Sequence, residues 1–155
     1  MRGLKRDPAL VPLSRDHHFA LRQALWLRRA AGASDLGAPR VARDYIAFHR
    51  DDLMPHMADE ESIVFPAFER TDPAGTERLR GEHREIDALT SRLRSSLDDA
   101  ADPRPLMAKI ASLLDDHVRY EERAYFMAVQ ERLSASVLLG IGDAVARRVR
   151  ACPTR

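Results

Sequence analysis

Apolar residues recur every three or four positions through four long stretches of the chain, each bounded by proline, glycine or a small polar residue. That period puts one apolar face on a helix, so the pattern predicts helices rather than strands. The first helix follows a short arm through Pro12, with Ser14 as its N-cap, and stops at Gly32. After the loop AGASDLGAP, Pro39 opens a second helix that runs to about Arg70. Pro55 falls inside it and is expected to kink it or split it one residue before His56. TDPAG supplies Asp72 as N-cap and Pro73 as first residue of a third helix reaching about Ala100. ADPRP repeats that punctuation before a fourth, from about Pro105 to Leu133. A fifth, shorter helix follows Ser134 or Ser136 and ends before Cys152 and Pro153. With short loops throughout, the fold class is all-α. The expected architecture is an up-down antiparallel four-helix bundle over about 13–133, with an additional short C-terminal helix over about 134–151. One domain accounts for residues 1–155.

The apolar faces are interrupted in a regular way. His-x-x-x-Glu occurs twice, as His56 with Glu60 and as His117 with Glu121. Four residues is about one helical turn, so each pair shares a face and can reach one cation. Leu53, Ile63 and Val64 flank the first pair, and Ile110, Leu113 and Leu114 the second, so both faces point inward. A carboxylate buried there without a partner is costly, and a cation would remove that cost. The other two long helices each offer histidine at a similar depth. On the third it is His83, followed by Ile86 and Leu89 on the inward face. On the first it is His17 or His18. The stripe through His17 holds Leu13, Ala20, Leu21 and Ala24, whereas that through His18 holds Ser14, Arg22 and Arg29, so periodicity favours His17. Counted from the turns, these positions fall at one level of a bundle to within about one turn.

The neighbours of these residues receive lesser roles. Asp87, one turn after His83, is a candidate weak ligand or hydrogen-bond acceptor for an imidazole. Tyr125, one turn after Glu121, is read as packing, with a hydrogen bond to the site as the alternative. Glu61 and Glu122 point about 100° away from the ligand face and read as surface charge. His49 lies about 10 Å along the axis from His56, too far to share its centre. The C-terminal run AVARRVRACPTR is basic and reads as a solvated face.

Composition narrows the classes. The 25 basic and 24 acidic residues nearly cancel, so nothing predicts a nucleic-acid partner. The single cysteine, Cys152, excludes an internal disulfide framework and a thiolate metal cage, and it suits a cytoplasmic location. No apolar run approaches the ~20 residues of a membrane span, and the first dozen residues lack the apolar core of a signal peptide.

The segments LSRDHHFAL, HMADEESIVFP, EHREIDAL and DHVRYEERAYF together resemble the hemerythrin-like family, the HHE cation-binding domain. The resemblance covers most of the chain and implies a four-helix bundle holding a non-haem di-iron centre. It implies His17 (or His18), His56, His83 and His117 as terminal ligands, with Glu60 and Glu121 bridging two iron ions. Oxygen-carrying hemerythrins have a second histidine one turn after that of helix three, and here Asp87 stands there. The resemblance therefore implies an open coordination position near Asp87, suited to redox chemistry or small-ligand binding more than to reversible oxygen carriage. Related iron–sulfur repair proteins carry an extra cysteine-containing N-terminal domain, whereas about a dozen residues precede helix one here. Ferritin-like Glu-x-x-His and protease-like His-Glu-x-x-His motifs are both absent from the sequence.

Three functions remain open. The leading one is a protein that binds oxygen, peroxide or nitric oxide at a di-iron centre for sensing or stress protection. A redox enzyme would turn over at the same centre, reducing peroxide or nitric oxide or repairing iron–sulfur clusters. A purely structural metal would leave function to an unnamed protein partner, although structural zinc sites are usually closed and Cys-rich. Nitrogen and carboxylate ligands suit manganese or zinc as well as iron.

Overall fold

The computed structural model describes residues 5–34 and 37–151, with backbone alone for the last three. Cys152 lies outside them. The fold is an all-α bundle. Five helices lie among the described residues: α1 (Val11–Gly32), α2 (residues 38–68), α3 (Pro73–Asp98), α4 (residues 104–132) and α5 (Ala135–Ala151). Consecutive helices from α1 to α4 pack side by side, α4 closes back against α1 and α5 lies against α2, an order compatible with an up-down bundle.

Helix starts follow proline more than hydroxyl chemistry. α1 begins three residues before Ser14, because Pro12 sits in its first turn, where a missing N–H costs nothing. Ser14 is therefore an interior residue and not the cap, and its N–H donates to Leu10 O. Asp72 does cap α3, its carboxylate accepting the Gly75 N–H at 2.9 Å. A Cβ at position 75 would run into that carboxylate and into the Tyr120 hydroxyl, so the cap needs glycine there. α3 ends at Asp98, two residues short of Ala100, which has φ 53° and so reverses the chain in a left-handed conformation. Ser134 caps α5 through the Val137 N–H.

α2 is not split at Pro55. Helical hydrogen bonding continues through a π turn, His49–Leu53, in which the Met54 N–H donates to His49 O five residues back. The wider turn takes up the missing N–H and the ring of Pro55 without breaking the rod. Two more π turns occur, Glu60–Val64 in α2 and Glu121–Tyr125 in α4.

Two separate apolar clusters fill the bundle. The one toward Gly32 and Asp98 is mainly aliphatic and rich in small residues, with Ala20, Ala24, Leu27, Ala42, Leu93, Met107, Ile110 and Leu114 among its buried members and Tyr45 its buried aromatic residue. The one at the other end is aromatic. There Phe65, Phe68, Tyr125 and Phe126 pack with Leu10, Leu13 and Leu79, and α5 covers them with Leu138, Ile141 and Val145. Between the two clusters lies a layer of histidines and carboxylates.

Candidate metal centre

Each long helix contributes to that layer: α1 gives His17, α2 gives His56 and Glu60, α3 gives His83, and α4 gives His117 and Glu121. All six are at most 3% exposed. His18, by contrast, is exposed on the outer side of α1. Their ligand atoms fall into two overlapping groups, His17, His56, Glu60 and Glu121, and then Glu60, His83, His117 and Glu121. Within each group these atoms lie within 4.8 Å of one another. The two glutamates belong to both groups.

The contacts are short. His56 Nε2 lies 3.0 Å from Glu60 Oε1, and His17 Nε2 lies 3.1 Å from Glu121 Oε2. His83 Nε2 is 3.4 Å from Glu60 Oε2, and His117 Nε2 is 3.4 Å from Glu121 Oε2. Yet none of the four carboxylate oxygens of Glu60 and Glu121 accepts a hydrogen bond, and Nε2 of His83 has no partner either. Buried polar atoms facing one another without hydrogen bonds are what a cation repairs, and the imidazole–carboxylate donor set suits iron, manganese or zinc. Glu60 and Glu121 each follow their histidine by one regular α turn and then open a π turn, so the extra residue shifts the register of the helix only beyond the ligand pair.

The other ring nitrogen of every histidine meets a carboxylate. His17 Nδ1 pairs with Glu122 at 2.6 Å, His56 Nδ1 with Asp16 at 3.2 Å, His83 Nδ1 with Glu61 at 2.8 Å, and His117 Nδ1 with Glu82 at 2.8 Å. An Nδ1–H donated outward leaves Nε2 with its lone pair directed inward, the tautomer a metal requires. These four pairs form a closed ring: α1 supplies the acid for α2, α2 for α3, α3 for α4, and α4 for α1. Aromatic faces fix two of the rings from the side, Phe126 stacking on His17 and Phe65 on His83, both at 5.6 Å.

Glu61 and Glu122, read from sequence as surface charge, are thus imidazole partners, and Asp16 and Glu82 join them. A signal for them exists in the sequence. On α1 and α3 the acid precedes the histidine by one residue, and on α2 and α4 it follows by five. If consecutive helices run in opposite directions, those offsets rotate about 100° and 140° to the same side. Asp87 falls outside the centre: it is exposed and bonds His49 Nε2 at 2.7 Å, an imidazole of the aliphatic end. The expectation of an open position beside Asp87 therefore has no geometric basis. Tyr125 also turns away, its hydroxyl bonding Thr76 Oγ1 at 2.7 Å and its ring meeting Phe65 and Phe68 edge-on.

The electrostatics follow from this packing. Burial pulls His17 down, but Glu121, Glu122 and Glu60 outweigh it and hold its pKa well above 6.5. Burial likewise opposes His56, and chiefly Glu60 raises it to about 9. His83 is raised too, against its burial, by Glu60. Burial would raise Glu60, yet His56, His17 and His83 keep it well below 4.5, and Glu122, also against burial, is held at about 2 by His17. The metal-free layer therefore stores protons that an entering cation must displace.

A buried His–carboxylate layer between four helices defines a metal-binding helical-bundle protein. Comparison with known families makes this specific: the family model of the hemerythrin HHE cation-binding domain matches residues 10–129, and the chain belongs to that family. It is also similar to a DNA nickase of Nostoc sp. (strain PCC 7120), 26% identical over 98 residues. That match covers 63% of this chain and 28% of the relative, so the chain corresponds to a minor part of that protein. No solved structure matches it. Among the described residues, no helix is long and apolar enough to cross a membrane.

Proposed function

We propose that this protein holds two iron ions and binds a small ligand such as oxygen, peroxide or nitric oxide, in sensing or in protection against oxidative or nitrosative stress. In this reading His17 and His56 would hold one ion, His83 and His117 the other, and Glu60 and Glu121 would be shared between them. The observation that carries it is the sharing of both buried glutamates by two four-residue groups, since one tetrahedral ion would leave part of the set unused. Two iron ions would supply reversible one-electron chemistry and coordination positions for the ligand. The chain's own part is to orient the imidazoles through the outer carboxylates, to exclude bulk water with the two apolar clusters, and to take up or release protons at the histidines.

Metal analysis of anaerobically purified protein, with ultraviolet–visible spectra before and after air, tests this reading. Close to two irons per chain and a reversible spectral change are expected. Sustained consumption of peroxide or nitric oxide would move the protein to a redox enzyme, and a spectrally silent zinc site to a structural role. The similarity to a DNA nickase supports a second reading, metal-dependent phosphodiester cleavage, because paired cations can clamp the attacking and leaving oxygens. Nicking of supercoiled plasmid by the metal-loaded protein, lost in Glu60→Gln, would favour it.

A further inference from the structure

The four outer carboxylates are not held alike. Glu82 is joined by Arg78, one turn away on the same helix and 47% exposed, a surface pair that water weakens. Glu61 is itself 45% exposed, and Asp16 37%. Glu122 differs, because its partner comes from the far end of the sequence. Arg6, only 12% exposed, donates from Nη2 to Glu122 Oε2 at 2.6 Å and to the Glu122 backbone oxygen at 2.7 Å. The other Glu122 oxygen takes His17 Nδ1, so one carboxylate spans a guanidinium and an imidazole. The guanidinium also lies 5.6 Å from the centre of the Phe126 ring, which stacks on His17. Arg6 therefore touches both groups that fix the His17 ring.

The arm carrying Arg6 is anchored on its own account. The Gln130 side chain accepts the Asp7 N–H at 3.1 Å and donates to Lys5 O at 3.1 Å. The Asp7 carboxylate takes the Ala9 N–H at 2.9 Å, turning the chain into α1. A loose tail would make none of these bonds.

We propose that the N-terminal arm is a strap for one side of the centre: through Glu122 and Phe126, Arg6 positions His17 and so governs retention of the cation on the His17–His56 side. Arg6 is a positioning residue, since it reaches no ligand atom itself. The inference rests on the two-cation reading, and its effect falls on one ion and not on both. Loss of an outer partner of a metal-bound histidine typically lowers metal affinity about 10- to 100-fold.

Cobalt(II) titration of the metal-free protein tests it, followed by calorimetry and visible absorption, in wild type, Arg6→Met, Arg6→Lys and, as a control, Arg84→Met, whose guanidinium pairs with the exposed Glu77. Wild type should take two equivalents. Arg6→Met should keep the first and bind the second at least about tenfold more weakly. Arg6→Lys should recover part of that loss, and Arg84→Met should leave both unchanged. Unaltered binding in Arg6→Met, or equal weakening of both equivalents, overturns the strap. A wild type that takes fewer than two equivalents defeats the two-cation reading instead. The strap is then decided in the metal-free protein, by the slowly exchanging Nδ1 proton of His17, identified by its loss in His17→Gln. That proton signal should broaden in Arg6→Met and sharpen again in Arg6→Lys; no change between wild type and Arg6→Met overturns the proposal there too.

Discussion

The two ends of the bundle solve different problems. The aliphatic end brings helices together on alanine and leucine, and its only buried histidine, His49, pairs with the solvent-facing Asp87. The aromatic end faces the histidine layer with rings. Phe126 and Phe65 stack on His17 and His83, and the two π turns that begin at Glu60 and Glu121 run directly into these phenylalanines. One end supplies generic cohesion, and the other sets the angles of the imidazoles. The centre is therefore mechanically one-sided, although its ligands are nearly symmetric.

The sharpest way to break the comparison is to remove a side chain at each end. Phe126→Ala should cost about 3–5 kcal/mol by urea denaturation and also lower cobalt affinity, since His17 loses the ring against which it lies. Ile110→Val, at the aliphatic end, should cost about 0.5–1.5 kcal/mol and leave metal content unchanged. Equal metal loss in both variants would show that either end positions the ligands.

Next in size is the layer itself. Glu60→Ala or Glu121→Ala should reduce the metal content to about one ion per chain while circular dichroism remains helical, because both apolar clusters pack without the metal. An unfolded variant would mean that the layer, not the ends, holds the fold.

Acidity probes the layer without touching either end. His56 is raised in the fold to about 9, so the stability it lends the metal-free protein is complete below about pH 6.5 and disappears as the pH climbs through 9. Glu122 is depressed to about 2, so its contribution is complete above about pH 4.5 and disappears as the pH falls through 2. Thermal melts of the metal-free protein should peak between about pH 4.5 and 6.5 and decline toward pH 9, with His56 alone contributing about 3 kcal/mol and His17 and His83 adding to the loss. Metal affinity should rise over that same alkaline range as protons leave His56, and a flat melting profile would contradict the assigned charges.

The smallest expected effect is confined to the aliphatic end. Ala100 has φ 53°, a conformation in which a Cβ is unfavourable, so Ala100→Gly should stabilise by about 0.5–1 kcal/mol with metal binding untouched.

Much of this architecture was legible from periodicity and punctuation. The prolines at 39, 73 and 105 marked helix starts to within a residue, and the two His-x-x-x-Glu pairs marked the depth of the layer. What escaped was set by tertiary contact. Ser14 looked like a cap, but Pro12 had already begun the helix. Pro55 looked like a break, but a π turn absorbs it, and such turns leave no local sequence signature. Glu61 is exposed as read, but its bond to His83, like that of Glu122 to His17, was hidden because a single helix wheel cannot show a neighbouring helix's histidine. Asp87 looked inward for the converse reason, its partner being the distant His49.

The ring of acids around the histidines has a consequence in charge count. Fully ionised, the layer holds six carboxylates: Glu60 and Glu121 within, and Asp16, Glu61, Glu82 and Glu122 outside. Arg6 and Arg78 neutralise two of these charges. The remaining four would be matched by two divalent cations. The ring of acids thus gives the layer a charge that a pair of divalent ions would cancel without help from any further side chain.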